Sequence, residues 1–196
     1  MNLDHLPEIT EKESGWGYLH PTPDVLKIFS DLGKMKQLKP VKRIVEIGFH
    51  AGHSTTYLLE TFKDAKMLSY GLSSVSGPNG VKMMSHYPGG RLQISIADSR
   101  KLNPIKHVNV DLTYIDGSHK WANVSNDVML AVAWGSRFIL VDNCETPAVK
   151  YISDVILGSP IKTWQYEATW AGRTTTNVMN LYEARHNRFR AAQVVE

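Results

Sequence analysis

The feature that most constrains this 196-residue chain is an alternation of short β-branched runs with segments of helical periodicity. Thr22-Pro23 places an N-cap before a proline at the first helical position. Val25, Ile28, Phe29, Leu32 and Met35 then recur at helical spacing until Pro40. Residues 43–47, RIVEI, are extended and stop at Gly48, and 54–62 return to a helix. Strands follow at 67–72, at 92–96 where Leu92, Ile94 and Ile96 alternate, at 110–115 and at 138–141. Between them lie helices near 80–87, through Val124, Val128 and Val132, and through Val149, Ile152 and Ile156. The end differs in kind: Trp164, Tyr166, Ala168 and Trp170 alternate up to a turn at Gly172, and 174–184 run back. Strands separated by helices predict a parallel sheet covered on both faces. The expected fold is a doubly wound α/β domain of about seven strands with a C-terminal antiparallel hairpin. Residues 1–20, with Gly15-Trp16-Gly17-Tyr18, read as an N-terminal arm or lid of that single domain.

Composition excludes several classes. No apolar run approaches the ~18 residues of a membrane span. Lys and Arg number 22 against 19 Asp and Glu, an excess too small to point to nucleic acid. A single cysteine, Cys144, rules out an internal disulfide and a Cys-rich zinc site, which makes a reducing cytoplasm the expected compartment.

In open α/β sheets ligands lie beyond the carboxyl ends of the strands. That rule selects Glu46–Ser54, 72–76, Asp98–Arg100 with Asp116–Lys120, and Asp142–Glu145. The first reads Glu46-Ile47-Gly48-Phe49-His50-Ala51-Gly52-His53-Ser54. A triphosphate loop needs one more residue and a lysine where His53 stands, and a dinucleotide turn needs glycine where His50 stands. An acid followed by GxxxG suits a cationic ligand without phosphate; a glycine turn that packs helix on strand is the alternative.

These residues, with Ile115-Asp116-Gly117-Ser118-His119 and Val141-Asp142-Asn143, carry a resemblance over roughly residues 40–185. The three segments, in order, are similar to those of class I S-adenosylmethionine (SAM)-dependent methyltransferases. They resemble most the small-molecule O-methyltransferases that modify antibiotics and sugars, and more distantly the catechol-type enzymes. The resemblance implies that Glu46, Gly48, His50, Gly52 and Ser54 surround the methionine part of the cofactor. It places Asp98 and Ser99 at the adenine, with Asp116 also on the cofactor side; a plain turn acid is the other reading of Asp98. Relatives end the second strand with an acid on the ribose hydroxyls, and this chain has Ser73 there. Asp116, Asp142 and Asn143 match a trio that binds magnesium in metal-dependent relatives, and oxygen donors suit that ion; Asp142-Asn143 is equally a good turn. His119, three residues after Asp116, stands where catechol-type relatives have a lysine base, and Lys120 is its neighbour. Trp16, Tyr18 and Trp121 are candidates for the floor of a substrate pocket, with packing near a helix start as the alternative for tryptophan.

The expected activity is methyl transfer from SAM to an oxygen of a small-molecule acceptor, with or without Mg2+. RNA methylation and a non-catalytic binding role on the same scaffold are the alternatives. The adenine-N6 signature of Asp or Asn, two prolines and an aromatic is absent. Self-association of the chain is left open.

Overall fold

The computed structural model describes residues 3, 19–72, 76–104, 107, 109–170 and 173–184, with backbone only at 76–78 and Trp170. The first helix, α1 (Pro23–Lys34), starts where Thr22 Oγ1 accepts the Val25 N–H at 3.3 Å, and it buries Val25, Ile28, Phe29 and Leu32. The chain then lays down β1 (Arg43–Ile47), α2 (His53–Thr61), β2 (Lys66–Gly71), α3 (Ser76–His86) and β3 (Leu92–Ile96). A 3-10 turn (Ser99–Lys101) precedes β4 (Leu112–Ile115), α4 (Trp121–Ala133), β5 (Phe138–Val141), α5 (Pro147–Leu157), β6 (Lys162–Trp170) and β7 (Arg173–Glu183). The strands form one sheet in the order β3-β2-β1-β4-β5-β7-β6. The first five are parallel, and β7 runs antiparallel between β5 and β6. The expected doubly wound sheet and terminal hairpin are therefore both present.

Two boundaries differ from the sequence reading. β4 begins at Leu112, and Asp111, just before it, binds the start of β1. Its Oδ2 accepts the N–H groups of Lys42 and Arg43 at 2.8 and 2.9 Å, fixing the entry to β1. Helix α3 begins at Ser76, four residues ahead of the periodic signal. Its first turns carry Gly77, Pro78 and Gly80, which hide a helix from any periodicity test, and proline in a first turn forfeits no hydrogen bond.

Side chains alternate across each strand, and this decides what faces the site. On one face, Ile44, Leu112, Tyr114, Phe138 and Leu140 join α1, α2, Trp164 and Tyr166 in the largest apolar cluster. On the other, Ile115, Ile139 and Val141 pack beneath α4 and α5, with Val45, Ile47, Tyr70 and Trp134 beside them. By the same alternation Glu46, Asp116 and Asp142 all lie on the α2 face, at the carboxyl edge of the sheet. The order reverses between β1 and β4, so that edge opens there.

Candidate functional site

The turn after β1 is held by close backbone approach. Gly48 has φ +120°, and a Cβ on it would fall 2.0 Å from the Asp116 carbonyl oxygen, so this glycine lets the β1 and β4 loops touch. Gly52 has φ +90° and is the N-cap of α2; a Cβ there would meet Met83 Cγ of α3 at 2.9 Å. At both positions the space a side chain would need is filled by the protein itself. Both glycines thus serve packing, and a ligand at this turn would lie along it rather than in those two gaps.

Glu46 is fully buried. Its carboxylate accepts Ser54 Oγ and Thr55 Oγ1, each at 2.5 Å, both from the first turn of α2. Burial pushes its carboxyl above the usual range, and those hydroxyls pull it part of the way back. The expected acid is in place, but Ser54, which is half-buried, stands on its outer side. His50 and His53 flank the turn. Burial lowers both, His53 to about 4 with help from the charges of His20 and His50, so both are neutral at neutral pH. His50 Nδ1 has no hydrogen-bond partner among the described residues.

The outer end of the sheet has another character. Asp98 caps the 3-10 turn and is gripped by Arg100. Oδ1 accepts the Arg100 N–H and Nε at 3.0 Å each, and Oδ2 accepts Nη2 at 2.6 Å. The Arg100 side chain holds the Asp98 carboxyl down at about 2. Ser99 turns toward Asp127 of α4, a residue the sequence reading passed over. Asp127 is buried, which raises its carboxyl, and the Ser99 hydroxyl is the first group to offset that. Ser73, the expected ribose contact, lies outside the described residues, as do Trp16 and Tyr18 of the N-terminal arm.

Past β4 and β5 the expected magnesium trio comes together only in part. Asp142 is 3% exposed. Its Oδ2 accepts the Tyr114 hydroxyl at 2.9 Å; its Oδ1 accepts the Tyr166 hydroxyl and the Asn143 N–H at 2.8 Å each. Three of about four lone-pair sites are thus taken by protein donors, with no room for an ion that keeps several waters. Asn143 sits at φ +56° and turns its amide toward Glu145, so the turn reading of this pair holds. Among the described residues no three His, Cys, Asp or Glu side chains gather around one point. As arranged, Asp116, Asp142 and Asn143 do not fit magnesium. Asp116 is half-buried, 3.4 Å from the Tyr114 hydroxyl. Burial, then the charges of Asp142 and Glu46, raise it well above the carboxylate range; burial pushes Asp142 up to about 6.

His119 and Lys120 are exposed where the β4 loop enters α4, and Lys120 is the N-cap of that helix. Trp121 is 54% exposed, its ring tilted against Tyr151 of α5 at 5.5 Å, on the helix pair of the opposite face. Tyr114 and Tyr166, which fix Asp142, were missed because strand tyrosines read as core.

The sequence matches no family model and no curated protein. Solved structures do match. Cofactor-bound Rv0187 from MTB aligns with TM-score 0.65 and 15% identity over 90% of this chain and 87% of its own. The O-methyltransferase TomG from Streptomyces achromogenes, solved with SAM and involved in tomaymycin synthesis, gives 0.62 and 14% over 92% of each chain. A SAM-dependent O-methyltransferase from Thermotoga maritima gives 0.56 and 16% over 87% of this chain and 68% of its own. The chain thus has the Rossmann-like fold of SAM-dependent methyltransferases. No helix among the described residues is long and apolar enough to cross a membrane.

Proposed function

We propose that this chain transfers a methyl group from SAM to an oxygen of a small-molecule acceptor. The observation that carries the reading is the buried Glu46 at the point where strand order reverses. It is a carboxylate fixed by α2 hydroxyls, in a fold otherwise seen with this cofactor. SAM, when bound, supplies a methyl carbon on a cationic sulfonium. Toward such a ligand Glu46 offers negative charge in a poorly solvated place, where it acts more strongly than in water. Ser54, half-buried, is available for a hydrogen bond along the turn, and Asp98 and Ser99 lie at the adenine side. The acceptor side is bounded by the loops after β4 and β5, where His119 and Lys120 are exposed to receive the hydroxyl proton.

Calorimetry with SAM and S-adenosylhomocysteine (SAH) tests this. Wild type should bind both. Glu46→Gln keeps the shape and removes the charge, and it should weaken SAM about 10-fold and SAH less, since SAH lacks the sulfonium charge. Wild type that binds neither would overturn the reading. Once an acceptor is found, His119→Ala should lower turnover ~100-fold with the cofactor Kd unchanged.

A further inference from the structure

The terminal hairpin does not end with the sheet. β7 leaves β5 at the pair Val141↔Asn180, yet it stays paired with β6 from Met179↔Trp164 out to Arg173↔Trp170. A two-stranded ribbon is marginally stable by itself, so its near end needs attachment. The β7 side has it: Cys144 N–H donates to the Val178 carbonyl at 2.7 Å, and Val178 N–H donates to Glu145 Oε2 at 2.8 Å. On the β6 side Trp164 Nε1 donates to Asp31 Oδ2 of α1 at 3.4 Å, and Tyr166 supplies the attachment to the sheet edge. Its hydroxyl donates to Asp142 Oδ1, and Asn177 Nδ2 of β7 reaches the same hydroxyl at 3.4 Å. Asp142 Oδ2 is held by Tyr114 of β4. One carboxylate therefore ties together the central sheet, the end of β5 and the ribbon.

We propose that Asp142 is the anchor of this ribbon and not a metal ligand: Tyr166 and Tyr114 occupy the oxygens a divalent ion would need, so ribbon docking and metal binding compete for one carboxylate. The docked ribbon carries Tyr166, Ala168, Thr175 and Asn177 on one face beside the acceptor end of the sheet. Its role as an acceptor wall rests on the methyltransferase reading; the anchoring does not.

Hydrogen exchange of the full chain, with and without MgCl2, tests the anchor directly. Tyr166→Phe removes only the hydroxyl. Exchange of the amides in 164–169 and 174–179 should rise ~10-fold or more while those of β1, β2 and β4 stay unchanged. Asp142→Asn, which keeps the shape, should act in the same direction. Millimolar MgCl2 should leave the wild-type melting temperature and hairpin exchange unchanged, and SAM binding should survive EDTA. Unchanged hairpin exchange in both variants would overturn the anchor. So would a Mg2+-induced stabilisation of wild type that Asp142→Asn abolishes. Should Tyr166→Phe fail to fold, Asp142→Asn and the wild-type MgCl2 titration still decide. A protein that binds no SAM but shows the hairpin-specific exchange would lose the methyltransferase reading and keep the anchor.

Discussion

Two aspartates at the carboxyl edge of one sheet have been given opposite chemistry. Asp98, at the outer end after β3, is met by a guanidinium and kept ionised down to about pH 2. Asp142, at the inner end after β5, is met only by neutral donors, and burial pushes it up to about 6. Residue type is the same, and each lies just past a strand, two residues beyond β3 and one beyond β5. What differs is the countercharge: Arg100 at the outer end, two phenols at the inner. The outer end is thus already neutralised by Arg100, while at the inner end burial pushes Glu46, Asp116 and Asp142 toward their neutral forms.

The largest expected effect comes from breaking the inner end. Gly48→Ala would put a Cβ into the Asp116 carbonyl at a φ that side chains rarely adopt. It should cost ~4 kcal/mol or more in urea denaturation, or prevent folding. Gly52→Ala meets the flexible Met83 side chain instead and should cost only ~1–2 kcal/mol. Equal costs would mean that the loops do not touch as described.

The next effect is a pH dependence. Asp142 has its folded pKa above the ordinary 3.8, so its contribution to stability is full below about pH 4 and is lost as pH rises through about 6. Asp142→Asn should therefore flatten the stability profile between pH 4 and 7 by on the order of 2–3 kcal/mol relative to wild type. Asp98→Asn should do the reverse at lower pH. Its folded pKa lies below 3.8, so its stabilising share is present above that value and disappears as pH falls toward 2. Denaturation midpoints of both variants across pH 2–7 check the two signs; the same sign for both would erase the contrast between the two ends.

Most of this fold was legible in the sequence because β1, β4 and β5 are short, largely apolar runs with a glycine or polar stop, while β3 and β6 alternate. Helix α3 was half hidden, since Gly77, Pro78 and Gly80 break the periodicity that would reveal it. The site was legible as positions and not as partners. Glu46, Asp98, Asp116 and Asp142 sit where strand ends put them, but the groups that set their charge come from elsewhere in the chain. Tyr166 is 24 residues from Asp142 and on another strand. Thr55 looks like any helix residue until the α2 face closes over Glu46. Spacing reveals which residues reach an edge; it does not reveal which hydrogen bonds are already spent there. That is why the magnesium trio looked complete in the sequence and does not fit in three dimensions.

The smallest expected effect tests whether the outer end contributes to binding at all. Asp98 spends both oxygens on Arg100, leaving little lone-pair capacity for an adenine amino group. Arg100→Ala would free that carboxylate by removing an exposed guanidinium, so the fold should survive with the loss of one partly screened ion pair. If adenine docks against Asp98, the freed acceptor should strengthen SAH binding by about two- to fivefold, a gain of ~0.4–1 kcal/mol read by calorimetry. If Asp98 is only the cap of the Ser99–Lys101 turn, Arg100→Ala should leave SAH affinity within twofold, and Asp98→Asn should do the same. A loss of affinity in Arg100→Ala would show instead that the guanidinium itself contacts the ligand. In that case the outer end would be the cationic half of the site, and the contrast with Asp142 would extend from pKa to recognition.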